Sequence, residues 1–106
     1  MKLYIRSAAV ICLAASIVTP AFAQGSGADT YKVKCLMCHG ADGQAATPAG
    51  KALKAASFKD PAAVKATDNE LIAIVKNGKN KMPAYAGKLT DGEIKAAVAH
   101  VRTLQK

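Results

Sequence analysis

The chain has 106 residues, which limits it to one small domain. Its 15 Lys and Arg outnumber its 7 Asp and Glu, so the formal net charge is +8 and acidic partners are favoured. Hydrophobic residues make up 51% of the chain, but only 5% of residues are aromatic and Trp is absent. A chain of this size and composition cannot bury a generous apolar core from its own side chains.

The first residues have the pattern of a secretory signal peptide. Lys2 and Arg6 form a basic start, residues 8–18 are apolar, and Ala21-Phe22-Ala23 is a small-x-small cleavage site. An apolar run of about a dozen residues is short for a bilayer, so a retained membrane anchor is the weaker alternative.

Cleavage of this signal is expected before Gln24. It removes residues 1–23, including Cys12, and leaves residues 24–106 as a single domain with two cysteines. In a bacterium this exported domain is expected to fold and act in the periplasm.

A first helix is predicted over residues 29–38, after the flexible residues 25–27, and it ends in a C-x-x-C-H motif, residues 35–39. Two thiols three residues apart on one helical turn can form thioethers with the two vinyl groups of a porphyrin, and the adjacent histidine then lies beneath the iron. The motif predicts one covalent haem c, attached through Cys35 and Cys38, with His39 as an axial iron ligand.

Two other kinds of site also use a C-x-x-C pair, namely thioredoxin-type dithiols and zinc sites. A thioredoxin-like site requires a β-α-β context, and no β-strand alternation follows the motif. A zinc site requires further ligands, whereas the only other cysteine and histidine are Cys12 and His100. Haem attachment is the favoured interpretation, and a haem would supply the apolar core that the chain lacks.

The segment after the motif is predicted to be mostly loop. Residues 40–57 are rich in Gly, Ala, Thr and Pro, which favours a loop with one short turn near residues 51–55. Asp60 followed by Pro61 is typical of an N-cap with proline at the first helical position. A brief helix is therefore predicted from Pro61 to about Lys65.

Two capping boxes predict the remaining helices. Thr67 with Glu70 begins a helix that ends at Gly78, and its apolar residues are Leu71, Ile74 and Val75. Thr90 with Glu93 begins a last helix with an apolar stripe of Ile94, Ala97, Val98, Val101 and Leu104. This stripe is expected to pack on the first helix.

The loop over residues 80–85 carries the second candidate iron ligand, Met82. Met1 belongs to the signal, and Met37 lies inside the attachment turn, where it cannot reach the other face of the haem. Pro83 removes a backbone donor and stiffens the loop, which suits a ligand held against an iron. Given a haem, Met82 is the predicted sixth ligand.

Together these features resemble a small monohaem class I cytochrome c over about residues 27–104. The resemblance rests on Gly27 and Tyr31 four residues apart, the C-x-x-C-H motif, the loop 81–83 and the terminal helix. It implies an all-α class I cytochrome c fold, with three main helices and short turns wrapped around one haem. It also implies that Gly27 and Tyr31 pack across the last helix.

The resemblance also implies roles for residues around the haem. The carbonyl of Pro48 is the candidate acceptor for the ring N–H of His39, a bond that would orient the ring and tune the iron. Tyr85 is a candidate haem-pocket contact. His100 stands where the family usually has an aromatic residue, and we interpret it as a partly buried histidine between helices. The alternative is a haem with two histidine ligands, in which Met82 is displaced.

Histidine and methionine in both axial positions leave no open site on the iron, which predicts a soluble electron carrier rather than an enzyme. The alternatives are a haem peroxidase or gas sensor with a labile Met82 ligand, or a cytochrome subunit of a larger redox complex. The resemblance implies electron transfer through an exposed haem edge.

Charge predicts the kind of partner. Removing Lys2 and Arg6 from the 15 Lys and Arg leaves 13 against 7 Asp and Glu, a net charge of +6. Nucleic acid is excluded as a partner because an exported protein rarely meets it. The expected partners are redox proteins with an acidic docking surface, met by a monomer with no membrane anchor. The lysines nearest the two ligand segments are Lys32, Lys34, Lys51, Lys54, Lys76, Lys79, Lys81 and Lys88.

Overall fold

The computed structural model describes residues 26–106, which form six helices joined by loops. These are α1 (Gly27–Lys34), α2 (Leu36–His39), α3 (Pro48–Ala52), α4 (Pro61–Lys65), α5 (Asp68–Asn77) and α6 (Asp91–Leu104). Within the same residues, β pairing is limited to two isolated bridges. The all-α prediction is confirmed, whereas the signal segment 1–23, its Cys12 and the cleavage before Gln24 lie outside the described residues.

The helices predicted from capping residues begin where the sequence places them. Thr67 Oγ1 accepts from the Glu70 backbone N–H at 3.1 Å, and the Thr67 N–H donates to the Glu70 carboxylate at 3.2 Å. Thr90 and Glu93 make the same reciprocal pair, with both distances 3.1 Å. These bonds satisfy donors that the first turn of a helix leaves free, so α5 and α6 have well-defined starts.

The first helix differs from its prediction at both ends. It begins at Gly27, because the Ser26 side chain accepts from the Asp29 N–H at 3.1 Å and acts as the N-cap. Residues 26 and 27 are therefore part of a helix terminus and not a flexible lead. The helix also ends at Lys34, and a turn at Cys35 separates it from α2.

The short turn expected near residues 51–55 is present, but it is the end of a longer element that begins earlier in the chain, as helix α3. Thr47 caps this helix by accepting from the Gly50 N–H at 2.9 Å, and Pro48 occupies its first position. The Thr47 hydroxyl also donates to the Met37 carbonyl at 2.6 Å, which fastens the start of α3 to the attachment turn. Proline is favoured at the first helical position because an N–H there would have no partner within the helix, so nothing is lost when proline lacks it.

The contact between α1 and α6 is close, as the resemblance implied. A Cβ on Gly27 would overlap the Ala96 carbonyl, so only glycine permits this approach. Tyr31 is 2% exposed, and its ring centroid lies 5.0 Å from that of His100. Beside them, Ile94, Ala97 and Val98 of the predicted stripe are buried. The predicted packing of Gly27, Tyr31 and His100 is confirmed.

Arg102 joins α6 to the two preceding helices. Its guanidinium forms a salt bridge with Asp68 of α5 at 2.9 Å and donates to the carbonyls of Ala63 and Ala66 at the end of α4. A second salt bridge, 2.9 Å between Lys76 and Asp91, links the end of α5 to the start of α6. No helix within residues 26–106 is both long and apolar enough to cross a membrane.

Candidate cofactor site

A cavity of about 350 Å³ lies between the helices, and five of the six helices contribute to its wall. Its volume is within the range of sites that take a whole ligand or cofactor. The predicted attachment, ligand and pocket residues all line it, namely Cys35, Cys38, His39, Met82 and Tyr85. The predicted apolar face of α5 forms part of the wall through Leu71, Ile74 and Val75.

The two cysteines lie on one turn and keep free thiols. The Cys35 carbonyl accepts from the N–H of Cys38 at 3.3 Å and from that of His39 at 3.0 Å, which closes the turn. Burial, and then the nearby Cys38, raise the pKa of the Cys35 thiol. A redox dithiol requires the opposite shift of its attacking cysteine, because the thiolate is the nucleophile.

The zinc alternative also lacks support in the part of the chain that the structure describes. Residues 26–106 contain no group of three or more His, Cys, Asp and Glu side chains arranged to hold a metal ion. A structural zinc site requires four such ligands. The two thiols and His39 therefore fit a cofactor attached at the turn better than a zinc ion.

The His39 ring is held with one nitrogen facing a backbone carbonyl. Its Nδ1 lies 3.2 Å from the Ala56 oxygen, and because a carbonyl only accepts, Nδ1 carries the proton. Burial lowers the pKa of the imidazole, although the bond to Ala56 opposes this shift. The ring is thus neutral, and the Nε2 lone pair is available to a metal.

The acceptor for the histidine is not the one that the resemblance implied. Pro48 begins α3 and is exposed, and its carbonyl points along the helix axis toward the next turn, as in any helix. The acceptor is the carbonyl of Ala56, in the irregular segment after that helix. The prediction of Pro48 as the partner of His39 is therefore wrong.

A tight turn presents Met82 to the cavity. The Lys79 N–H donates to the Met82 carbonyl at 3.2 Å, the Met82 N–H donates to the Lys79 carbonyl at 2.9 Å, and Asn80 between them has a φ of 53°. Gly78, with a φ of 74°, allows the chain to fold back, since a Cβ there would lie 2.6 Å from the Met82 oxygen. These bonds fix the backbone at Met82, and the half-buried residue lines the cavity.

Tyr85 fixes the other end of this loop. Its N–H donates to the Val75 carbonyl of α5 at 2.9 Å, and its hydroxyl donates to the Lys34 carbonyl at the end of α1 at 3.0 Å. The loop is therefore tied to two helices that border the cavity. Tyr85 lines the cavity, as predicted.

Sequence reasoning missed Phe58, which lies against the histidine. Its ring stacks on the His39 ring with a centroid separation of 4.5 Å and an interplanar angle of 24°. A signal was present, because Phe58 is the only aromatic residue between Tyr31 and Tyr85 in a chain poor in aromatics. His100, by contrast, lies in the α1–α6 contact and not in the cavity wall, which disfavours a second histidine ligand.

Comparison with known proteins places the chain in a family. The family model described as "Cytochrome C oxidase, cbb3-type, subunit III" matches residues 23–101. The cytochrome c6 of Picosynechococcus sp. is 34% identical over 92 residues, which cover 78% of this chain and 76% of the relative. That of Nostoc sp. is 38% identical over 85 residues, which cover 78% of this chain and 74% of the relative. The chain is a small class I c-type cytochrome.

Solved structures agree with the fold of this cytochrome. The KustC0563 c-type cytochrome is 35% identical, with a TM-score of 0.69 over 76% of this chain and 99% of the other. Cytochrome c6 from the diatom Phaeodactylum tricornutum is 33% identical, with a TM-score of 0.58 over 76% of this chain and 92% of the other. The class I cytochrome c fold, the haem c cofactor and the electron-transfer function predicted from the sequence are confirmed.

The cavity of this cytochrome fits haem c. Two thiols stand on one turn, a neutral imidazole offers Nε2 beside them, and a thioether lines the same space. Much of the remaining wall consists of aliphatic side chains, among them Ala62, Ala63, Ile74, Val98 and Val101. When bound, haem c supplies an iron that cycles between Fe(II) and Fe(III).

Proposed function

We propose that this cytochrome is a soluble periplasmic electron carrier in which Cys35 and Cys38 hold one haem c and His39 and Met82 are the axial ligands of its iron. The observation that supports this most strongly is the meeting of His39 and Met82 in one cavity. They come from separately anchored elements, the first from α2 and the second from the turn that follows α5.

In electron transfer, the role of the protein is to hold the two axial ligands, His39 and Met82, in fixed positions. The bond to Ala56 orients the His39 ring with the proton on Nδ1, and the turn around Asn80 holds Met82 in place. With both axial positions filled by the protein, no site remains for oxygen or a substrate, so we propose that the protein is not an enzyme. A neutral thioether and an apolar wall favour Fe(II), which predicts a relatively high reduction potential.

Four lysines at the cavity support an acidic partner. The residues Lys34, Lys54, Lys79 and Lys81 contribute to the wall, and each of them is exposed to solvent. Positive charge around the electron-transfer site would steer a redox protein with an acidic surface into a small, short-lived contact. We propose that the carrier acts as a monomer.

The cellular location of the carrier is proposed from its first residues. Removal of residues 1–23 as a signal would leave one domain, residues 24–106, in the periplasm. The mass of the purified protein would test this, since cleavage before Gln24 and one covalent haem both change it by known amounts.

The ligand assignment is tested by visible spectroscopy on the purified protein and two methionine variants. Met82→Ala removes the proposed ligand, whereas Met37→Ala is the matched control, because Met37 is 75% exposed and does not line the cavity. The parent and Met37→Ala should show a low-spin haem with a sulfur-to-iron charge-transfer band and no response to carbon monoxide.

Met82→Ala should lose that band and bind carbon monoxide. A parent that is high-spin, or that binds carbon monoxide readily, would contradict ligation by Met82. It would instead favour the labile-ligand alternative of a peroxidase or gas sensor.

A further inference from the structure

The short segment from Ala56 to Phe58 holds the His39 ring in two directions. The Ala56 oxygen lies 3.2 Å from Nδ1, at the edge of the ring, and the Phe58 ring stacks on a face of the imidazole with centroids 4.5 Å apart. A single hydrogen bond would leave the imidazole free to rock about it. The stacked aromatic ring removes this freedom, since rocking would drive one ring into the other.

Phe58 is itself fixed by three contacts with other parts of the fold. Its N–H donates to the Gly43 carbonyl at 2.9 Å, and its carbonyl accepts from the Gln105 side chain at 3.1 Å. Its ring also meets the buried Tyr31 ring edge-on, with centroids 6.1 Å apart. The ring against His39 is thus anchored to the loop after the motif and to the end of α6.

We propose that Phe58 is a positioning residue that sets the orientation of the His39 imidazole and, through it, the reduction potential of the iron. The proposal rests on the proposed ligation of the iron by His39. Groups that orient a ligating histidine, and apolar groups that exclude water from it, tune the properties of the metal centre. Phe58 does both, because its apolar ring covers a face of the imidazole beside the Nδ1–H bond.

The first test moves the Phe58 ring without changing it. Gly43 has a φ of 74°, and a Cβ there would lie 2.5 Å from Phe58 Cδ2. Gly87 has a φ of 83°, and a Cβ there would have no atom within 4 Å. Gly43→Ala and Gly87→Ala therefore introduce similar backbone strain, but only the first presses on Phe58.

The readouts are the reduction potential and the spread of the hyperfine-shifted haem methyl resonances of the ferric protein, which depends on the orientation of the axial imidazole. Gly43→Ala should change both, and Gly87→Ala should leave both as in the parent. Equal behaviour of the two variants, whether both changed or both unchanged, would overturn the proposal.

The second test removes the ring. Phe58→Ala opens the face of His39 to water, which stabilises the more highly charged Fe(III) state, so the reduction potential should fall. Leu89→Ala is the control for lost packing, because Leu89 is 9% exposed and does not line the cavity. Phe58→Tyr retains the ring and should retain the parent's resonances.

If the role of Phe58 were purely structural, Phe58→Ala and Leu89→Ala would both be less stable than the parent, and both would keep the parent's reduction potential and haem methyl resonances. That result would overturn the proposal. If Phe58→Ala does not take up haem, the pair Gly43→Ala and Gly87→Ala decides the matter. The visible spectrum of the parent protein distinguishes a failure of the proposed function from a failure of the Phe58 proposal. A parent without histidine and methionine ligation refutes the proposed function, whereas a normal parent with unaltered variants refutes only the positioning by Phe58.

Discussion

At the scale of single residues, Tyr31 and Tyr85 both line the cavity and both donate a hydroxyl hydrogen bond to a backbone carbonyl, but they differ in burial. The Tyr31 hydroxyl donates to the Gly40 carbonyl at 2.6 Å, and the Tyr85 hydroxyl donates to the Lys34 carbonyl at 3.0 Å. Tyr31 is 2% exposed and Gly40 is buried, whereas Lys34 is exposed. Burial is also the main cause that raises the pKa of Tyr31. Water can therefore replace the second bond but not the first.

Replacing each tyrosine by phenylalanine measures this difference. Tyr31→Phe removes one of the two hydrogen bonds that the buried Gly40 carbonyl accepts, the other coming from the Gly43 N–H at 3.2 Å. Because water cannot replace the lost bond, the free energy of unfolding should fall by about 1–1.5 kcal/mol. Tyr85→Phe should cost less, on the order of 0.5 kcal/mol, because water can reach the Lys34 carbonyl. Guanidinium titrations of the holoprotein provide the measurement, and equal losses in the two variants would contradict the argument.

At the scale of elements, the contact between α1 and α6 determines the frame around the cavity. Gly27 lies directly on the Ala96 carbonyl, so the two helix backbones approach as closely as backbones can. Tyr31, one turn later, fills the next part of the contact against His100. Because α2 follows α1 after a single turn residue, the position of α1 on α6 also places the attachment cysteines.

Gly27→Ala should therefore force these helices apart. The added methyl meets backbone atoms that cannot rotate away, and we expect a loss of about 1–3 kcal/mol or more. Gly92→Ala is the matched control, since Gly92 lies in α6 and is exposed. Alanine there should be neutral or stabilising by up to about 1 kcal/mol.

Thermal unfolding of the two variants beside the parent provides the comparison. A Gly27→Ala protein that melts with the parent would show that the helices separate at little cost.

At the scale of the whole molecule, the core that the protein supplies is small and the cavity is large. The buried hydrophobic residues within 26–106 are Tyr31, Ala45, Leu89, Ile94, Ala97 and Val98. Four further aliphatic side chains of α5 and α6 face the cavity, namely Leu71, Ile74, Val75 and Val101. A haem packed against them completes the core, which is how so short a chain, poor in aromatic residues, sustains a folded domain.

Because the protein is positively charged, its rates of electron transfer with anionic reagents should depend on ionic strength. With ferricyanide, a small anionic oxidant, the rate should fall as ionic strength rises, because salt screens attraction by the lysines around the cavity. The same trend is expected with an acidic protein partner. A rate that does not depend on salt would contradict steering by this surface.

Two variants with the same net charge separate local from overall attraction. Lys81→Gln removes a charge at the cavity, and Lys95→Gln removes an exposed one on α6 away from it. At low salt Lys81→Gln should react more slowly than Lys95→Gln, and the difference should vanish at high salt. Identical rates at low salt would assign the effect to net charge alone.

Much of the fold was predictable because its signals are local. Each capping box joins residues three apart, and the proline at the start of α4 acts on its own backbone. The predicted start of the first helix was wrong because the cap at Ser26 lay inside a segment that the sequence indicated as flexible. The end was wrong because the break at Cys35 has no proline or glycine to mark it.

The sequence by itself determined the haem c cofactor and indicated the candidate attachment residues and axial ligands, because C-x-x-C-H spacing and the choice among three methionines are properties of the chain alone. Only the tertiary structure decided what surrounds the histidine. The Ala56 carbonyl is 17 residues from His39 and, like every backbone carbonyl, leaves no mark in the sequence. Phe58 reaches the imidazole only because Gly43 and Gln105 hold its backbone there. Contacts between distant segments depend on how the helices pack, and local patterns do not encode that packing.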